Sequence, residues 1–227
     1  PIQQMFECLR QAGCADLSSH AKASQEIVMS AGGAFGDVWQ GMLDNGTKVA
    51  VKAWRSHPIE QCDSNTLERA AHELLDLCKL DHPNVHRLQG VIMFRDQYLG
   101  MVSEWMDNGN IYQYLLKHPD ADRYQLCSQV ASGLEYMHSR GKVHGDLKAA
   151  HVLVSSDGTA RLSHLDSLVM SDVRSLVFLA NSSSWPGTFR WLAPEILLEE
   201  VQQKTTQTDV YALGMTMLVN KCPMLTV

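Results

Sequence analysis

Apolar residues recur along this chain first at intervals of three and four, then at alternate positions. Ile2, Met5, Phe6 and Leu9 share one side of a helix, so the first turns predict an amphipathic helix with a packing role on the outside of a domain. From Ile27 the spacing shortens. Ile27-Val28-Met29, the glycine-rich run Ala31 to Gly41, and Lys48 to Trp54 after the Asn45-Gly46 turn predict a set of short strands. The last of these alternates, with Val49, Val51 and Ala53 on one face and Ala50 and Lys52 on the other. A helix is expected from about Asn65, with Asn65 and Glu68 as a cap pair and Leu67, Ala70, Ala71, Leu74, Leu77 and Cys78 as its apolar face. Glu73 lies along that face and calls for a cation, because a desolvated carboxylate is costly unless paired; Lys52 is the natural candidate.

Further on, Tyr98 to Met106 reads as a buried strand entering a turn at Asp107-Asn108-Gly109-Asn110. One helix starts at Ile111. A second carries Cys127, Val130, Ala131, Leu134, Met137 and His138 and stops at Gly141. It delivers the chain to a polar stretch, Val143-His144-Gly145-Asp146-Leu147-Lys148, which runs into the short strand Val152-Leu153-Val154. Asp157-Gly158 then turns that strand back into Ala160-Arg161-Leu162.

Composition narrows the partners more than the fold. The 227 residues are 45% hydrophobic and 19% charged, enough for a substantial core and without low-complexity character. A net charge of −6 and a pI near 5.9, with no basic run, argue against nucleic acid or an anionic membrane as the partner. Val210 to Val219, the longest late apolar run, is about half of the roughly 20 residues a membrane span needs. Six scattered cysteines form no Cys-x-x-Cys pair, so a reducing, cytoplasmic setting is expected, with Cys78 and Cys127 as small core residues.

Candidate chemistry sits at the mouth of the Val152–Val154 strand, where an acid and an imidazole are presented together. The stretch resembles the protein kinase catalytic loop, His-Arg-Asp-(four residues)-Asn, with Asp146 at the acid and His151 at the asparagine. The resemblance extends from about Ile27 to Leu218. Ala31, Gly33, Gly36 and Val38 stand at the positions of Gly-x-Gly-x-x-Gly-x-Val; alone, that run reads as a plain hairpin. Val49 to Lys52 matches Val-Ala-Ile-Lys, although a lone lysine on a strand is ordinarily a surface residue. Leu80 to Val91 is similar to the passage from the family's regulatory helix to its next strand. Gly187 to Glu195 is similar to the end of its activation segment, and Thr208 to Met215 to the central helix of its lower lobe, with Asp209 buttressing the catalytic loop. The wording of the activation segment most resembles that of the tyrosine-kinase-like group.

The resemblance implies an α+β, two-lobed fold: an N-terminal helical extension over 1–26, a small β-rich lobe with hinge over 27–106, and a mainly helical lobe over 107–227 that stops short of the family's last helices. It implies an ATP-type pocket held by Gly33, Gly36, Val38, Ala50, Lys52, Glu73, Glu104, Met106 and Leu153, with Ser103 as gatekeeper. It implies phosphotransfer to protein serine or threonine through Asp146, Lys148 and Thr188. Both magnesium ligands depart from the pattern. His151 replaces the asparagine, and His164-Leu165-Asp166 stands where Asp-Phe-Gly belongs. Magnesium favours oxygen ligands whereas imidazole suits transition metals, so an ordinary Mg·ATP site is not expected. Gly145 also replaces the arginine that would receive a phosphorylated Ser182–Ser184 loop. The leading expectation is a pseudokinase-like binding or regulatory module with impaired phosphotransfer. Its rival is a working serine/threonine kinase in which Asp166 becomes the metal ligand or the histidines take manganese. A zinc site from His144, Asp146, His151 and His164 and an inactive, poorly folding copy complete the alternatives.

Overall fold

A computed structural model describes residues 2–20, 28–33, 36–54, 64–94, 98–163, 189–198 and 203–221. The described residues fall into two compact units. One takes the chain up to Leu80 and then Arg87–Trp105; the other takes Asp81–His86 and the described residues from Met106 onward.

The first unit is built on an antiparallel sheet of five strands: β1 (Val28–Gly33), β2 (Gly36–Met42), β3 (Lys48–Trp54), β4 (Leu88–Phe94) and β5 (Tyr98–Glu104), in the spatial order β1-β2-β3-β5-β4. The alternation read from the sequence sets its faces. Val49, Val51 and Ala53 are buried with Ile92 and Val102, and Leu17, Trp39, Leu43 and Tyr98 pack around them. Ala50 and Lys52, on the opposite face of β3, are half-buried. Residue Val51 stands across from Val102 and Lys52 across from Met101, so the β3–β5 register is fixed by one continuous apolar face.

Helix α1 (Ile2–Gln11) buries Ile2, Met5 and Leu9 and packs against helix α2 (Ser64–Cys78). A fully buried side chain of this size contributes roughly 1.5–3 kcal/mol. After α1 the chain runs along the outer strand: Val91 N–H donates to the Ala15 carbonyl and Leu17 N–H to the Val91 carbonyl, each at 2.9 Å. Gly90 makes this approach feasible, since a Cβ there would lie 2.4 Å from the Ala15 carbonyl oxygen. In α2 the expected apolar face is present, with Leu67, Ala70, Ala71, Leu74 and Leu77 buried. Its start differs from the sequence reading. Ser64 is already helical, so Asn65 lies inside the first turn and is not the cap residue.

The second unit begins with the inserted stretch Asp81–His86, which behaves as an extra edge. Asn84 O accepts from Leu162 N–H at 2.9 Å, His86 N–H donates to Leu162 O at 2.7 Å, and the Asn84 amide reaches Ala160 O at 3.0 Å. Helix α3 (Ile111–Lys117) opens with a reciprocal cap between Asn110 and Gln113, and α4 (Arg123–Ser139) with Asp122 accepting from Tyr124 and Gln125 N–H. The end of α4 is set by Gly141 at φ +70°, where Gly141 N–H returns to His138 O and Lys142 N–H to Met137 O. Strands β6 (Val152–Val154) and β7 (Ala160–Leu162) pair as the Asp157-Gly158 turn predicts. A short helix α5 (Pro194–Leu197) and helix α6 (Thr206–Lys221) follow, and Val210, Tyr211 and Leu218 on α6 are exposed.

Candidate active site

The Schellman ending of α4 releases the chain directly into the loop His144–Lys148, and the loop is held from below by one carboxylate. Asp209, 1% exposed near the start of α6, accepts from His138 Nε2 at 2.8 Å, from His144 N–H at 2.7 Å and from Gly145 N–H at 2.8 Å. Three donors on one buried carboxylate satisfy a charge that would otherwise be costly to desolvate. Gly145 has φ +72°, a left-handed backbone that glycine adopts at little cost and an arginine would not.

His144 is fully buried, and both ring nitrogens are engaged. Nε2 lies 2.9 Å from the Ser163 carbonyl oxygen, an acceptor only, so Nε2 carries the hydrogen; Nδ1 accepts from Asp146 N–H at 3.3 Å. Burial pushes its pKa down, and the nearby Asp209 opposes that shift only in part. A neutral imidazole with both nitrogens used is a strut and not a metal ligand, which removes His144 from the zinc reading.

Asp146 is buried, with Lys148 Nζ 3.7 Å from Oδ1 and His151 Nδ1 3.5 Å from Oδ2. A single 3-10 turn, Ala149–His151, brings His151 back over the acid. His151 Nδ1 donates to the Asp146 main-chain carbonyl at 2.7 Å, which fixes the ring and leaves Nε2 as the nitrogen bearing the lone pair when the ring is neutral. Ser163 holds the same turn from the other side, its N–H and Oγ both donating to the His151 carbonyl at 2.9 and 2.8 Å. Position 151 offers an imidazole whose Nδ1 is tied to the backbone, and a hard divalent ion prefers oxygen to the remaining Nε2. Among the described residues no group of three or more His, Cys, Asp or Glu side chains is arranged to hold a metal.

The structure thus brings Asp146, Lys148 and His151 together, with Leu153 two residues along on β6. Met106, buried, precedes the Gly109 turn in the same unit. In the first unit Val38 pairs with Lys52 across β2 and β3, Ala50 with Ser103 across β3 and β5, and Gly33 with Gly36 at the β1–β2 end. Glu73 is half-buried on α2, and Glu104 ends β5. His164, Asp166, Thr188 and Ser182–Ser184 lie outside the described residues. Sequence reasoning missed Ser163 and the role of His138, which carry no motif; their signal is a position beside the loop that only the folded chain reveals. A shallow cleft beside Asp146 is lined by Gly145, Trp191, Ile196, Lys204 and Thr208.

Residues 27–219 match the family model for protein tyrosine and serine/threonine kinases. This chain belongs to the protein kinase family. Among similar kinases are discoidin domain-containing receptor tyrosine kinase B of Caenorhabditis elegans, 34% identical over 188 residues, and mitogen-activated protein kinase kinase kinase 3 of Arabidopsis thaliana, 31% identical over 193. Each match covers 82% of this kinase chain, but only 22% and 29% of the respective relatives. The chain therefore spans less than a third of their length. No described helix of the kinase chain is long and apolar enough to cross a membrane.

Proposed function

We propose that this kinase domain is a pseudokinase-like nucleotide-binding and regulatory module, of tyrosine-kinase-like descent, whose phosphotransfer to protein serine or threonine is impaired. The observation that carries the reading is His151: an imidazole tied by Nδ1 to the Asp146 carbonyl occupies the place of a magnesium-binding amide. Charge stabilisation by a metal is worth several kcal/mol, and each ~1.4 kcal/mol lost is a factor of ten, so the expected rate deficit is about a thousandfold or more. ATP is the expected nucleotide, held in the first unit by Lys52, Glu73, Val38, Ala50 and the backbone at Glu104, with manganese better suited than magnesium to a histidine-bearing site. The cleft beside Asp146 is where a segment of a substrate or regulated protein would lie.

The second reading, an active serine/threonine kinase with an atypical metal site, is favoured by the loop itself. Asp146 and Lys148 are adjacent and Asp209 supports the turn. Thermal unfolding with ATP plus chelator, Mg·ATP and Mn·ATP, alongside a phosphotransfer assay, separates the two. A nucleotide at roughly a hundred times its dissociation constant adds about 2.7 kcal/mol of stability. Stabilisation without metal, with product no greater than that of Asp146→Asn, is the expected result. Metal-dependent product above that control would establish the active reading.

A further inference from the structure

Two cysteines distant in sequence meet where α1 and α2 end. Cys14 follows the last turn of α1 and is 5% exposed, and Cys78 is the last residue of α2 and half-buried. Their sulfurs lie 2.8 Å apart across a separation of 64 residues. Both backbones are anchored. Cys14 N–H donates to the Leu9 carbonyl, its neighbour Ala15 is bonded to β4 through Val91, and Leu80 N–H closes the end of α2 onto Leu77 O. A disulfide needs sulfurs about 2.05 Å apart, so forming one requires a closure of under about 1 Å between two already positioned side chains.

We propose that Cys14 and Cys78 are a reversible redox pair, joined into a disulfide by a hydroperoxide such as hydrogen peroxide. The Cys14 sulfur, as thiolate, attacks the peroxide O–O bond, giving a sulfenic acid and releasing hydroxide that takes up a proton to leave as water. The Cys78 sulfur then displaces water from that sulfenic acid as its own proton is lost to the leaving oxygen. Two electrons pass from the sulfurs to the peroxide, and two water molecules leave per disulfide when hydrogen peroxide is the oxidant. The order follows from the pair itself. The hydrogen bond from Cys78 favours the Cys14 thiolate and draws its pKa down, while the same contact and burial push Cys78 up. Cys14 itself is buried, so a small oxidant reaches its sulfur past the partly exposed Cys78, 2.8 Å away. The bond would tie the end of the helix carrying Glu73 to the segment that runs along β4.

The test treats the purified chain with hydrogen peroxide, alkylates remaining thiols after denaturation, and maps the unreduced digest by mass spectrometry. Expected is a linked peptide pair containing Cys14 and Cys78, two hydrogens lighter than the sum of its parts and lost on adding dithiothreitol. It should be accompanied by a rise in Tm of roughly 5–10 °C, the order expected for closing a long loop in a chain of this size. Cys8→Ser should leave the link and the shift intact, whereas Cys78→Ala should abolish both. Recovery of Cys14 and Cys78 as alkylated thiols after oxidation, or their linkage only to other cysteines, would overturn the proposal. The peptide map is made on the unaltered chain, so it decides the matter even where a variant folds poorly.

Discussion

The buried carboxylate of Asp209 holds the loop through three hydrogen bonds. Asp209→Ala would strand His144 N–H and Gly145 N–H without their acceptor and remove the partner of His138. An unsatisfied buried donor costs about 1–3 kcal/mol, so a loss of roughly 3 kcal/mol in urea unfolding is expected. His144 makes a different prediction. Burial lowers its folded pKa below the ordinary histidine value, so below about pH 6.5 the unfolded chain binds the extra proton and the folded chain resists it. Its contribution is complete above that pH and is lost as pH falls towards the folded pKa, at up to about 1.4 kcal/mol per pH unit. The NMR titration of the His144 ring should have its midpoint below the ordinary histidine value. A midpoint near 6.5 would contradict the account.

At the scale of elements, two glycines in helices should respond in opposite directions to the same change. In α4, a Cβ at Gly133 would lie 2.4 Å from the Asn84 carbonyl oxygen, a backbone atom that cannot swing aside. The gain in helix propensity from Gly to Ala, about 1 kcal/mol, is smaller than the ~1–3 kcal/mol typical of overpacking, so Gly133→Ala should destabilise. In α6, a Cβ at Gly214 meets nothing within 4 Å, so Gly214→Ala should stabilise by about 0.5–1 kcal/mol. Chemical denaturation of both variants checks the pair. Strands such as Lys48–Trp54 and the β6–β7 hairpin were legible in the sequence because alternation and an Asp-Gly turn are local signals. The path of Ala15–Leu17 along β4 and the meeting of Cys14 with Cys78 were not, since no pattern within either segment refers to the other. The loop itself was partly legible. Asp146, Lys148 and Asp209 announce themselves by spacing, but the turn of the His151 ring onto the Asp146 carbonyl depends on a 3-10 turn and on Ser163, which are products of folding.

For the whole molecule, the telling feature is that the second unit is not one continuous piece of chain. Asp81–His86 belongs to it although most of its sequence starts at Met106. A fragment over 106–221 would lose the bonds of Leu162 and Ala160 to Asn84 and His86, together with the buried Val85. At about 1 kcal/mol for each of three hydrogen bonds and roughly 1.5 kcal/mol or more for the valine, such a fragment should be at least 4 kcal/mol less stable than the same unit in the intact chain. Circular dichroism melting of the fragment should show a broad, early transition. The same arrangement constrains how the gene can be shuffled. A recombination breakpoint at the 105–106 junction would hand the second unit a foreign Asn-Val pair at its edge, so viable chimeras between relatives should be those whose donor keeps an asparagine and a small apolar residue at 84 and 85.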